Sequence, residues 1–168
     1  MKHRPYNPKS IFKRLYTMWI HPDPYKRYGA CLAFNHLCPV FREEESLVDA
    51  FTFEMCYHVF VCLAMTHDET KRVDVAMEAN ENVRHIVRIV KAKEKLFTNA
   101  SQRRRMPPEG CFSGSTTDDF LKWILTWVSR KETDARHKAM EIFFDLAKGR
   151  KGSKLFHECL YEKHGGCV

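Results

Sequence analysis

Residues 43–65, EEESLVDAFTFEMCYHVFVCLAM, decide the fold. Leu47, Phe51, Met55, Val59 and Cys62 recur at helical steps along one face, and Phe53, Tyr57, Phe60 and Ala64 form a second apolar stripe. A helix that is apolar on two sides has to be covered on two sides, as the middle helix of a stacked array is. The three glutamates at 43 to 45 suit the positive N-terminal end of such a helix. Consecutive helical residues diverge by about 100°, so these three carboxylates cannot converge on one metal ion.

Towards the N-terminus the same helical text continues. Asn7-Pro8 and Asp23-Pro24 each pair a good N-cap residue with proline at the first helical position, where its missing N–H costs nothing. After the first, Phe12, Leu15, Tyr16 and Trp19 recur at helical spacing up to the stop at His21-Pro22. After the second, Tyr25, Tyr28, Leu32 and Leu37 lie along one side, and Pro39 is expected to close the helix.

Towards the C-terminus, Thr66-His67-Asp68-Glu69 reads as the cap of a fourth helix of about 25 residues, fading near Lys95, with Val73, Met77, Val83, Val87 and Val90 on its inner face. Residues 96–117 then form a basic polar loop with no periodicity. Thr117 is expected to cap a helix lined by Phe120, Leu121, Ile124, Leu125 and Val128, and Thr133 one lined by Ala135, Ala139, Ile142, Phe143 and Leu146. Ser153 caps a last apolar run that Gly165-Gly166 stops. The reading is all-α: about seven helices in antiparallel hairpins, stacked as a HEAT-like α-solenoid segment with a closed bundle as the alternative. It divides into a first helical group over 8–95, the loop over 96–117 and a second group over 118–164.

Composition narrows the function. The chain has 168 residues, 44% of them apolar, which suffices for a core; its 28 Lys and Arg against 21 Asp and Glu leave a formal charge of +7. No apolar run is expected to approach the roughly 18 to 20 residues needed to cross a bilayer, and the first ten residues lack a secretory apolar stretch, so an intracellular chain with no membrane partner is expected. Seven cysteines without a CxxC pair read as buried reduced thiols. No glycine-rich phosphate loop, GxSxG or HExxH appears, so no catalytic residue, cofactor site or metal site is assigned. His157, Cys159, His164 and Cys167 match no common zinc-finger spacing, and a core cysteine with surface histidines is preferred there. His36, His58 and His85 read as hydrogen-bonded core or boundary histidines.

Charge gives two candidate surfaces: residues 1–30 carry Lys2, Arg4, Lys9, Lys13, Arg14, Lys26 and Arg27 against Asp23 alone, and residues 91–105 carry the denser set. Lys91, Lys93 and Lys95, followed by Arg103, Arg104 and Arg105, form two basic clusters about ten residues apart. They are candidate contacts to phosphate or to an acidic partner, they resemble a bipartite nuclear-import signal, and they equally suit a solvated surface.

RYGACLAFNHL (27–37), FREEESLVDAFTFE (41–54), DFLKWIL (119–125) and TDARHKAMEIFFDLA (133–147) occur in collinear order. Together they resemble the DNA-dependent branch of the phosphatidylinositol-3-kinase-related kinases, in the HEAT-repeat scaffold that precedes the kinase domain. The resemblance implies a non-catalytic scaffold within a nuclear serine/threonine kinase that acts in double-strand break repair by non-homologous end joining. It implies the rest of the kinase polypeptide, the Ku heterodimer and DNA ends as partners, with ATP and magnesium confined to the kinase domain of the parent protein. It implies that the chain is a fragment of a much longer one, and that Ser101, followed by Gln102, is a phosphorylation site. The alternatives are a free-standing helical adaptor for a protein partner and a basic nucleic-acid-binding module.

Overall fold

The computed structural model describes residues 7–67, 73–106 and 114–148. They form seven helices and no strand: α1 (Pro8–Trp19), α2 (Pro24–Phe41), α3 (Glu45–Met65), α4 (Val75–Ala92), α5 (Glu94–Thr98), α6 (Thr117–Val128) and α7 (Thr133–Ala147). Six of these are helices expected from the sequence. The short α5 was not expected, and the helix expected after Ser153 lies outside the described residues.

Local chemistry sets the starts. Asn7 accepts a hydrogen bond from the Lys9 N–H and Asp23 from the Tyr25 N–H, each with proline in the first turn. Thr116, one residue before the expected cap, closes a capping box with Asp119. The fourth helix does not begin at Thr66. It begins at Val75, capped by Asp74, whose side chain accepts from the Met77 N–H. Pro39 does not end α2 either. The helix runs on to Phe41, which is buried with its ring 5.5 Å from Phe12 and 6.1 Å from Phe34. Burying that ring outweighs the backbone hydrogen bond that proline forfeits in the last turn.

The helices pair as antiparallel hairpins α1/α2, α3/α4 and α6/α7, and the hairpins stack. The second lies on the first with α3 against α1 and α4 against α2. The third is shifted: α7 approaches both α3 and α4, while α6 meets α3 through a seam of rings. In that seam Phe53 stacks on Phe120 at 5.3 Å, and Phe60 meets Trp123 at 5.4 Å and Trp127 at 5.3 Å. The array is solenoid-like, and α3 is its middle member, with ten buried residues from Val48 to Leu63. By length and hydropathy α3 alone among the described helices could cross a bilayer, which corrects the expectation that no apolar run approaches that length. Its apolar surface is instead covered by neighbours on several sides.

The buried face of α2 corrects an expectation. Ala30, Cys31, Phe34, Cys38 and Phe41 point inward together with Arg27, while Tyr25 is exposed and Tyr28, Leu32 and Leu37 are half-buried. Leu37 and Ala33 face α1 across a groove of about 460 Å³ that Ile11, Leu15 and Met18 also line. Between the first two hairpins a polar relay crosses the core. The Trp19 indole N–H donates to Asn82 (3.2 Å), and the Asn82 amide donates to the Cys31 carbonyl (2.9 Å) and to Asn35 (2.7 Å).

Candidate functional site: a basic strap across the central helix

The chain leaves α4 at Lys93, whose φ of −111° and ψ of 35° break the helix, and restarts as α5 so that Phe97 can bury against Phe53 at 5.2 Å. Residues 99–106 then run as an irregular strap over the N-terminal half of α3. The Arg105 backbone N–H donates to the Ala50 carbonyl at 2.7 Å and fixes the crossing.

Two arginines of the strap turn inward. Arg104 is 4% exposed. Its Nε and one terminal nitrogen donate to Asp49 Oδ1 at 3.0 and 2.6 Å. The remaining donors meet the carbonyls of Leu96 (3.0 Å), Asn99 (3.1 Å) and Ser115. Its guanidinium carbon lies 5.5 Å from the Phe53 ring centre and 5.0 Å from that of Phe97. All five N–H donors are therefore satisfied inside the fold. Arg105 pairs with Glu54 at 2.5 Å over the Phe51 ring, and the hydrogen bond it donates to this carboxylate pushes its pKa further up.

Ser101 belongs to the same knot. Its hydroxyl donates to Asp49 Oδ2 at 3.0 Å, and its backbone N–H to the Ser115 hydroxyl at 3.2 Å. Asp49 thus joins Ser101, Arg104 and, through Arg104, the start of α6. The other cations sit differently. Lys91 bridges to Asp145 of α7 at 2.6 Å with both side chains about half exposed. Lys93 is half-buried, and Lys95 and Arg103 face solvent. Of the six cations in the denser set, the strap gathers Arg104 and Arg105 onto α3, and Lys95 and Arg103 project outward.

Asp49 and Glu54 were not singled out from the sequence. Their signal was available: two acids five residues apart on an otherwise apolar helix. Beside Glu54, Tyr16 of α1 stacks on His58 of α3 at 4.3 Å. Burial, then the Glu54 charge, pushes the Tyr16 hydroxyl well above its ordinary pKa. Burial also lowers His58 to about 4, against an opposing pull from Glu54. Neither the Tyr16 hydroxyl nor His58 Nδ1 has a hydrogen-bond partner among the described residues.

Among the described residues no three His, Cys, Asp or Glu side chains are grouped to hold a metal ion. His157, Cys159, His164 and Cys167 lie outside them. Cys31, Cys38, Cys56 and Cys62 are buried free thiols, as the apolar context of each implies. What this arrangement does chemically is neutralise charge and join hairpins.

A family model described as "DNA-dependent protein kinase catalytic subunit, CC1/2" matches residues 1–166. The chain is 37% identical over 166 residues to the DNA-dependent protein kinase catalytic subunit of Mus musculus, covering 96% of this chain and 4% of that protein. The Xenopus laevis protein of the same name is 38% identical over 152 residues, covering 89% of this chain and 4% of that protein. The Dictyostelium discoideum protein is 31% identical, covering 84% and 4%. The chain therefore spans about 4% of the length of these relatives.

Proposed function

The chain belongs to the DNA-dependent protein kinase catalytic subunit family, and from that premise we propose that it works as a non-catalytic helical scaffold segment of a DNA-dependent serine/threonine kinase. In this reading it serves double-strand break repair by non-homologous end joining in the nucleus. Its immediate partner is the remainder of a kinase polypeptide, with the Ku heterodimer and DNA ends engaged at the level of the whole protein. ATP and magnesium belong to that protein's kinase domain.

The observation that supports this is the internal use of the chain's most basic segment. Arg104 and Arg105 are consumed in holding the strap, α3 and the start of α6 together, which is the work of a scaffold. Lys93, Lys95 and Arg103, joined by Lys91 if Asp145 releases it, remain as contacts for a phosphate backbone or an acidic partner. Ser101 is retained as a phosphoacceptor. A phosphoryl group there sets negative charge against Asp49 and competes for Arg104, which loosens the strap.

The test is genetic and biochemical together. Disrupting the gene should lower end joining after induced breaks, and the tagged product should co-purify with kinase activity towards Ser-Gln peptides. The purified chain alone should transfer no phosphate. Intact end joining in the disrupted strain, with no associated kinase, would overturn the scaffold reading in favour of an adaptor that uses the groove between α1 and α2. For the surface cations, Lys95→Glu with Arg103→Glu should weaken binding to duplex DNA and flatten its salt dependence by about two phosphate contacts, read by fluorescence anisotropy. An unchanged salt slope removes these residues from any DNA contact.

A further inference from the structure

We propose that Cys31 and Cys62 form an oxidisable dithiol, a modification site at which a peroxide converts two core thiols into a disulfide that staples the first hairpin to the second. Cys31 lies on α2 and Cys62 on α3, both fully buried, with their sulfurs 4.0 Å apart in hydrogen-bond contact. Cys38 and Cys56 are also buried free thiols, but among the described residues only Cys31 and Cys62 have sulfurs in contact. A disulfide needs the two sulfurs to close from 4.0 Å to about 2.05 Å.

The step balances without any further redox partner. One cysteine sulfur attacks the peroxide, forming an S–O bond as the O–O bond breaks, and the departing oxygen leaves as water. The neighbouring sulfur then attacks the sulfenic sulfur, forming the S–S bond, breaking the S–O bond and releasing a second water. Two thiols lose two electrons and two protons, and the peroxide is reduced to two waters.

Burial sets the kinetics. The contact with Cys62, together with desolvation, holds the Cys31 thiol protonated far above its ordinary range. The first step therefore waits for local opening, and small peroxides reach the site ahead of bulky disulfides. The second step is fast, because the partner sulfur is already beside the intermediate. The product is neutral and apolar, so the core accepts it, and the closed 31–62 loop restricts the unfolded chain.

The test uses the full chain with Cys111, Cys159 and Cys167 changed to Ser, treated with hydrogen peroxide and mapped by mass spectrometry after alkylation in denaturant. The expected result is loss of the mass of two hydrogen atoms, one cross-linked peptide pair joining Cys31 to Cys62, and a higher unfolding midpoint that a reducing agent reverses. Cys62→Ser should abolish all three. Cys31→Ala supplies the same control if that variant fails to fold. Unchanged mass under peroxide, sulfinic acid on either residue, or a bridge involving Cys38 or Cys56 would each overturn the assignment.

Discussion

At Arg104 five N–H donors meet acceptors in a site closed to water, and the side chain fixes three parts of the chain at once. Removing it strands a carboxylate and three carbonyls. Arg104→Met should therefore cost about 3–5 kcal/mol in urea unfolding. Changing Asp49 to Leu in the same chain should recover a large part of that loss, because the uncompensated charge goes with it. Lys91→Ala, which breaks a half-exposed bridge to Asp145, should cost less than about 1 kcal/mol. Nothing in the triplet Arg103-Arg104-Arg105 distinguishes its inward members. That depends on where Asp49 and Glu54 sit once α3 is buried, which is a fact of tertiary structure. His58 gives a pH signature. Its folded pKa of about 4 lies below the ordinary 6.5, so between these values the unfolded chain binds more protons than the native one. Stability is whole above pH 6.5 and falls as the pH drops towards 4, by an amount that solvent at this part-exposed ring reduces. His58→Phe should flatten that part of the profile, and an unchanged slope would place the loss elsewhere.

At the scale of elements, most boundaries were legible where side-chain chemistry alone sets them. Asn7, Asp23 and the Thr116–Asp119 box behave as local rules dictate, apart from a one-residue shift at Thr116. Thr116→Ala should cost about 1 kcal/mol, read from thermal unfolding, with α6 fraying at its start. Where tertiary packing competes, the local rules lost. Phe41 found a pocket between Phe12 and Phe34, and α2 passed through Pro39 to reach it. The large side chains Tyr25, Leu32 and Leu37 suggested the wrong inner face for α2, because Ala30 and Cys31 let neighbouring helices approach closely. Two good caps, Thr66 and Asp74, competed for the fourth helix, and the later one prevailed. The end of the fourth helix was expected near Lys95, close to the break at Lys93, but the restart as α5 was illegible because it goes with the burial of Phe97.

At the scale of the molecule, three hairpins are joined by different chemistry at each step. The first step is sealed by the rings of Phe12, Tyr16 and Trp19 and the relay through Asn82, and the second by the seam of Phe53, Phe60, Phe120, Trp123 and Trp127 under the strap. The double apolar face of residues 43–65 announced this architecture, since only a middle helix needs it. The seat of α7 against both α3 and α4 is a tertiary contact that no periodicity encodes. The strap is an internal fastener between the second and third hairpins. Hydrogen exchange of the full chain, wild type against Arg104→Met, tests it most directly. Amides of α3 and α6 should lose protection together in the variant while those of α1 keep theirs. Unchanged protection in α3 and α6, with Arg104 gone, would contradict it.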